Sequence, residues 1–553
     1  MTLFFGVVLL FLAGAAFPSR TWQKSLRNIA AGATRFSERK ALASAVVLLG
    51  VILLRLAVLP RLPVPIPGIH DEFSYLLMAD TFAHGRLANP PHPMWMSFET
   101  FHVNFLPTYS SMYPPAQGAV LALGQLLGSP WIGVLLSTAA MCAAIVWALQ
   151  AWMPPQWALL GGVLAGLKFG VANYWMNSYW GGAVAGLAGA LALGAIVRIL
   201  RKPRTWDAIL LGVSVALLAN SRPFEGLLFC VPIAAVFLWW IAGKTKDVPE
   251  PRVRWRTIFL PLAAVLALTA GFMGYYNWRL TGGVLLFPHT LNRQTYHTGA
   301  MFVWQKPGEE RSYHNAQFEE FYNVWLRGDY QGWQDFRRIT ELKIARDSST
   351  FLWAGLWLLL PWMLAALRDR ELRLPLVTLF FVVLGVLSIV WANPHYGAPA
   401  TCALFAWIAQ AMRRACSWQF RNMKFGAALV MASVALLAIN VGGNVSKGYC
   451  DPLRWPCEGD PSRAAIQQRL EHEPGKHVVI VRYSEDHNIH DDWVYNGADL
   501  DGAKVLWARD VSPEQDAKLL AYYKDRTFWL VEPDTENTRL LPYSASMSPA
   551  LTK

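Results

Sequence analysis

The sequence predicts an α-helical polytopic membrane protein of about 12 transmembrane helices, with a small α/β domain at its C-terminal end. Three observations predict it. Of 553 residues, 54% are hydrophobic and only 16% are charged, against roughly a quarter charged in globular proteins, so burial in lipid is the first expectation. Apolar runs long enough to cross a hydrocarbon core of about 30 Å recur along the chain. The basic residues fall in short clusters between those runs: Arg35-Arg39-Lys40, Arg198-Arg201-Lys202-Arg204, Arg252-Arg254-Arg256, Arg413-Arg414 and Arg421-Lys424. That distribution is the positive-inside bias of a multispan protein. The net charge of +12 raises nucleic acid as a partner, but no contiguous basic face accompanies it, and that class is set aside.

The runs read as spans are 2–17, 42–60, 130–151, 157–172, 181–200, 206–219, 223–243, 257–276, 350–367, 373–391, 397–412 and 424–441. All basic clusters lie on one side only if an even number of crossings separates any two, and this set satisfies that condition. Residues 114–128 would break it. That stretch reaches only roughly 21 Å as a helix, and it is expected to lie along the outer interface as a juxtamembrane helix. The run 2–17 ends in Ala13-Gly14-Ala15-Ala16, faintly like a cleavage site. It lacks a basic leading region, and cleavage would leave a basic segment outside, so it is read as an uncleaved span with its N-terminus outside.

This topology divides the chain into a membrane domain, 1–441, and an extracytoplasmic α/β domain, 442–553. The membrane domain carries two long outer loops, 61–116 (with the juxtamembrane helix continuing to 128) and 277–349. All twelve histidines fall outside, with Asp71 and Glu72, so any chemistry is expected on the extracytoplasmic face of a plasma (inner) membrane. In the tail, 478–481, 505–507 and 528–531 read as strands and 513–523 as a helix. Cys142, Cys230 and Cys402 lie in apolar runs as packing residues, and Cys416 in a basic loop. Cys450 and Cys457 allow a short disulfide loop if the tail faces an oxidising compartment.

The stretch Ile69-His70-Asp71-Glu72-Phe73-Ser74-Tyr75 follows a Pro-rich exit, 60–68. Prolines hold that exit extended, so the acids begin the next helix with His70 or Asp71 near its N-cap. Two readings stand side by side: capping with attraction to the helix dipole, or a carboxylate acting as general base at the membrane surface. A leaving phosphate needs donors at the same boundary. Arg222 in Asn220-Ser221-Arg222-Pro223-Phe224-Glu225 is the first choice, though an Arg222–Glu225 pair fixing the packing explains it as well. His395, Arg279 and Arg293 are further choices. In loop 173–180, Trp175, Tyr179 and Trp180 present flat faces to a sugar or anchor the interface. His487-Asn488-Ile489-His490-Asp491-Asp492 invites a metal reading, but recognition of an acceptor or partner is the more economical role for the tail.

A span, Asp-Glu at the loop start, a long polar loop, Tyr113-Pro114-Pro115, a short interfacial helix and a multispan body follow in order. Over roughly residues 40–200 this resembles the GT-C-fold glycosyltransferases, among them the protein O-mannosyltransferases and the aminoarabinose transferases of lipid A. The resemblance implies a GT-C-like fold and a polyprenyl-phosphate sugar donor. It makes Asp71 the base, with Glu72 beside it as orienting group or metal ligand. His70 and Tyr75, on either side of the pair, are read as contacts to sugar or acceptor. Tyr113 stands where aminoarabinose transferases have a phosphate-contacting Lys. Loop 173–180 lacks the second acid of related enzymes. No cofactor is assigned, a divalent metal is left open, and no metal-ligand set is named. The expected function is transfer of a sugar to an extracytoplasmic glycan, lipid or protein. The alternatives are a transporter or flippase of a lipid-linked substrate, disfavoured by the near absence of ionisable residues in 130–151, 157–172 and 181–200, and a non-catalytic assembly protein.

Overall fold

A computed structural model describes residues 2–16, 31–32, 34–243, 250–391, 393–419, 423–448, 459–535 and 538–543. Seven of the described helices are long and apolar enough to cross a bilayer: Lys40–Ala57, Pro130–Leu149, Ala183–Arg201, Pro223–Ile241, Pro251–Thr281, Arg370–Ser388 and Phe425–Lys447. The other predicted runs form shorter helices. Thr2–Ala16, Pro155–Phe169 and Thr205–Ala219 are single pieces, and Thr401–Cys416 is entered through a 3-10 turn, Pro394–Ala400. Residues 350–367 differ most from expectation. Instead of one straight span, Trp333–Phe351 and Ala354–Ala366 meet at 91°. The corner is fixed by Trp353, whose indole N–H donates to Ser433 O at 3.0 Å. Gly355 packs there so closely that an added Cβ would stand 2.7 Å from the Ser433 backbone.

Residues 114–128 form the expected short helix, Pro115–Leu126, with proline in its first turn. Leu123, Leu126 and Leu127 remain exposed, the face that lipid covers in an interfacial helix. Its other face meets Pro130–Leu149 backbone to backbone, and a Cβ on Gly133 would lie 2.2 Å from Val120 O. Contact of that kind needs glycine.

The tail holds a four-stranded sheet. β3 (Lys476–Val481) pairs in parallel with β4 (Val505–Arg509) and β5 (Arg526–Val531), and β6 (Leu541–Pro542) pairs antiparallel with β5. Helices Pro461–His472 and Pro513–Tyr522 accompany it. Side chains alternate across a strand, and both faces are covered. Val478, Ile480, Leu506 and Leu530 pack with Leu77, Phe98, Val103 and Phe105 of the first long loop. Val479, Val481 and Trp507 pack with Leu470 and Trp493. In that loop, β1 (Val103–Asn104) and β2 (Ser110–Ser111) form a small antiparallel pair. The tail sheet and the first loop thus share one core, further joined where the Ala498 N–H donates to Asp80 Oδ2 at 2.7 Å. Cys450 and Cys457 lie outside the described residues.

Candidate functional site

A cavity of about 670 Å³ opens where the first loop, the start of Pro223–Ile241, helix Pro288–Tyr296 and the 389–396 segment converge. Asp71 stands on its wall, in the first turn of helix His70–Ala83. The Tyr113 hydroxyl donates to Asp71 Oδ1, and burial together with the Asp71 charge pushes the Tyr113 phenol well above its ordinary range, so it stays a donor. Tyr113 is stacked on Tyr75 at 4.5 Å. His102 completes the group. Its Nδ1 is 3.1 Å from the Tyr113 hydroxyl and 3.7 Å from Asp71 Oδ2. Its backbone sits at φ 60, a region non-glycine residues rarely occupy and one that concentrates at functional sites. The His102 carbonyl accepts from Ser74 Oγ at 2.7 Å and from the Met112 N–H at 3.1 Å, which holds that conformation. Burial lowers the imidazole pKa, against the opposing pull of Asp71.

Glu72, its neighbour in sequence, points the other way. It is fully buried: Oε2 accepts from the N–H groups of Gly68 (2.9 Å) and Ile69 (3.4 Å), and Oε1 from Tyr179 N–H (3.0 Å). It caps the helix and ties loop 173–180 to it. Burial pushes its carboxyl to about 8, against those three N–H groups. Both oxygens are committed to the backbone, and among the described residues no group of three His, Cys, Asp or Glu side chains is placed to hold a metal ion. Glu72, with both oxygens taken by backbone N–H groups, does not fit as a metal ligand beside Asp71.

The cations come from elsewhere in the chain. Arg222, the N-cap residue of Pro223–Ile241, lies on the wall with its guanidinium over the Tyr396 ring at 4.6 Å. No ion pair joins it to Glu225 among the described residues; the two interact only at longer range. Arg293 enters from helix Pro288–Tyr296, and burial lowers it to about 10, still charged at neutral pH. His289 and His297 flank it. Burial and the neighbouring charges bring His289 down to about 4 and His297 well below its ordinary value, so both are neutral imidazoles.

Of the residues singled out from sequence, the cavity brings together His70, Asp71, Tyr75, Tyr113, Trp180, Arg222 and Arg293. The others lie off its wall. Trp175 is buried against Phe169, rings 4.5 Å apart. The Tyr179 hydroxyl donates to Pro65 O. His395 is buried beside Tyr174, with the Tyr174 hydroxyl 3.1 Å from Nδ1, and Arg279 faces outward. Reading the sequence missed His102, His289, His297, Tyr396 and His490 as wall residues.

No family model matches the sequence, and no curated protein matches it by sequence. Its structure is similar to that of the Archaeoglobus fulgidus oligosaccharyltransferase in complex with Zn and sulfate. The TM-score is 0.50 at 10% identity, covering 88% of this chain and 67% of that one. The chain has the GT-C fold. Similarity extends to ArnT from Cupriavidus metallidurans, in the apo state (TM-score 0.49, 14% identity, 89% of this chain and 93% of that one) and bound to undecaprenyl phosphate (0.48, 12%, 89% and 93%). In this GT-C chain the acid comes from the first long loop and the guanidinium groups from later segments.

Proposed function

We propose that this multi-pass membrane protein is a glycosyltransferase that moves a sugar from a polyprenyl-phosphate donor to the hydroxyl of an extracytoplasmic acceptor. One observation supports the reading above the rest. A single cavity holds a carboxylate oriented by Tyr113 and His102 together with two guanidinium groups, Arg222 and Arg293, that make no hydrogen bond among the described residues.

In this reading Asp71 takes the acceptor O–H proton as the acceptor oxygen bonds to the anomeric carbon. The bond from that carbon to the phosphate oxygen breaks, and its electron pair leaves on the phosphate. Arg222 and Arg293 hold that charge in place, where preformed donors count for more than in water. The neutral His289 adds a hydrogen-bonding group without a further fixed charge. Val284, Leu285 and Phe287 are exposed just before His289, and that apolar edge suits a prenyl chain lying in lipid. In this reading the cavity and the tail lie on the outer face of the plasma membrane, with 1–441 as the membrane domain and 442–553 as the outer domain; the parity of the basic clusters supports it.

The test is transfer from radiolabelled polyprenyl-phosphate sugars by the purified full chain and by Asp71→Asn. The expected result is loss of transfer with the labelled donor still bound. Equal transfer by both proteins would remove Asp71 from the mechanism.

A further inference from the structure

Besides Asp71, Arg222 and Arg293, the cavity wall carries a cluster of aromatic rings brought together from separate segments. His490, contributed by the tail, meets Trp325 edge-on at 4.6 Å and lies 6.1 Å from both Phe321 and His70. His70 in turn is stacked on Phe101 at 4.4 Å. Among the described residues beyond 448, His490 is the one on the wall.

Its loop is held on both sides. Asp492 accepts from the buried Arg509 at 2.6 Å, from Thr100 Oγ1 at 3.2 Å and from the Tyr483 hydroxyl at 2.5 Å. Tyr495 is stacked on Phe73 of helix His70–Ala83 at 4.2 Å. Through Phe73, His490 is registered to the same helix that carries Asp71. Binding geometry held by packed neighbours in this way costs little ordering when a ligand arrives.

We infer that His490, Trp325 and Phe321 form the acceptor subsite, and that the acceptor is a saccharide. This rests on the transferase reading and names its second substrate. Aromatic faces stack on the apolar C–H faces of a pyranose, and an imidazole both donates to and accepts from hydroxyl groups. Trp325, Phe321 and His70, the rings against His490, carry no fixed charge, which suits an uncharged ligand. A sugar ring on this platform presents a hydroxyl toward Asp71.

Saturation-transfer NMR on the detergent-purified full chain tests it, with methyl glycosides of common hexoses and uncharged, capped tripeptides as probes. Undecaprenyl-phosphate binding is measured in parallel. Transfer to a glycoside is expected in the parent, lost in His490→Ala and Trp325→Ala, and partly retained in His490→Gln. It is expected unchanged in Lys518→Ala, an exposed position on the tail helix Pro513–Tyr522. Undecaprenyl phosphate is expected to bind all of them. A glycoside signal that survives both alanine variants, or a signal from the tripeptides alone, overturns the assignment. A parent that binds glycosides but no undecaprenyl phosphate leaves the subsite standing and overturns the donor reading instead.

Discussion

Asp71 and Tyr113, 42 residues apart in sequence, are joined by a hydrogen bond from phenol to carboxylate. That contact holds the acid at the start of one helix against the residue that leads into another. Tyr113→Phe keeps the ring on Tyr75 and removes only the donor. A hydrogen bond to a charged group is worth about 1.5–3 kcal/mol, so the transfer rate is expected to fall about tenfold to a hundredfold, with the donor KM little changed. Steady-state kinetics with a labelled donor would check this. An equal loss in kcat/KM through KM alone would argue for a binding role.

His102 acts on Asp71 through position. His102→Asn is expected to lower kcat with the donor KM little changed, because a group that positions the base is altered. His102→Gly relieves the φ 60 backbone and is expected to be at least as stable as His102→Ala. Comparing rate and melting temperature across the set separates the side chain's part from the backbone's.

Arg222 and Arg293 are expected to govern donor affinity. Replacing either with Ala should raise the donor KM by about tenfold to a hundredfold, the equivalent of one charge-assisted contact. Arg222→Lys keeps the charge but loses the planar group over Tyr396, so it should recover only part of the loss. Donor titration by native mass spectrometry would measure each.

Glu72 links stability to pH. Its folded carboxyl is raised to about 8 from an ordinary 4.5, so between those values the folded state binds more protons than the unfolded one. Its contribution is complete at low pH and is lost as pH rises through 8. Melting temperature in detergent is expected to decline across that window in the parent. In Glu72→Gln the decline should flatten, from a lower start, because the amide N–H₂ faces a backbone N–H. A slope unchanged by the substitution would assign it to other groups.

The buried Arg509–Asp492 pair anchors the loop of His490. Breaking such a pair from one side costs about 3–5 kcal/mol, so Arg509→Ala should lower the melting temperature and raise hydrogen exchange in 487–495. Exchange mass spectrometry would see both effects.

Much of this was legible in the chain. Residues 478–481 read as a strand because both faces of a parallel sheet are buried, which leaves an unbroken apolar run. Pro114-Pro115 marked a helix start, since proline fits a first turn. Asp71 stood out after a proline-rich exit. What stayed hidden depends on contacts between distant segments. Nothing near Glu72 reveals that Tyr179 donates to it, so it read as an orienting group or metal ligand beside Asp71. His490 sat in a histidine- and aspartate-rich string that hinted at metal, while its meaning lies in Trp325, brought near only by folding. Trp175 and Tyr179 had the composition of a sugar platform and turned inward. Arg279 shares a helix with the wall residues Met273 and Tyr276 but lies on the outward side.

The core shared by the first loop and the tail sheet imposes an order on synthesis. Leu77, Phe98, Val103 and Phe105 leave the ribosome early, yet the strands that cover them lie near the other end; the Asp80–Ala498 contact spans 418 residues. Closing so long a loop is slow because few local contacts reward it on the way. Until the last strand arrives, the loop bearing His102 has an uncovered apolar face. The nascent chain therefore needs protection until then, and a truncated product should be a target for proteolysis.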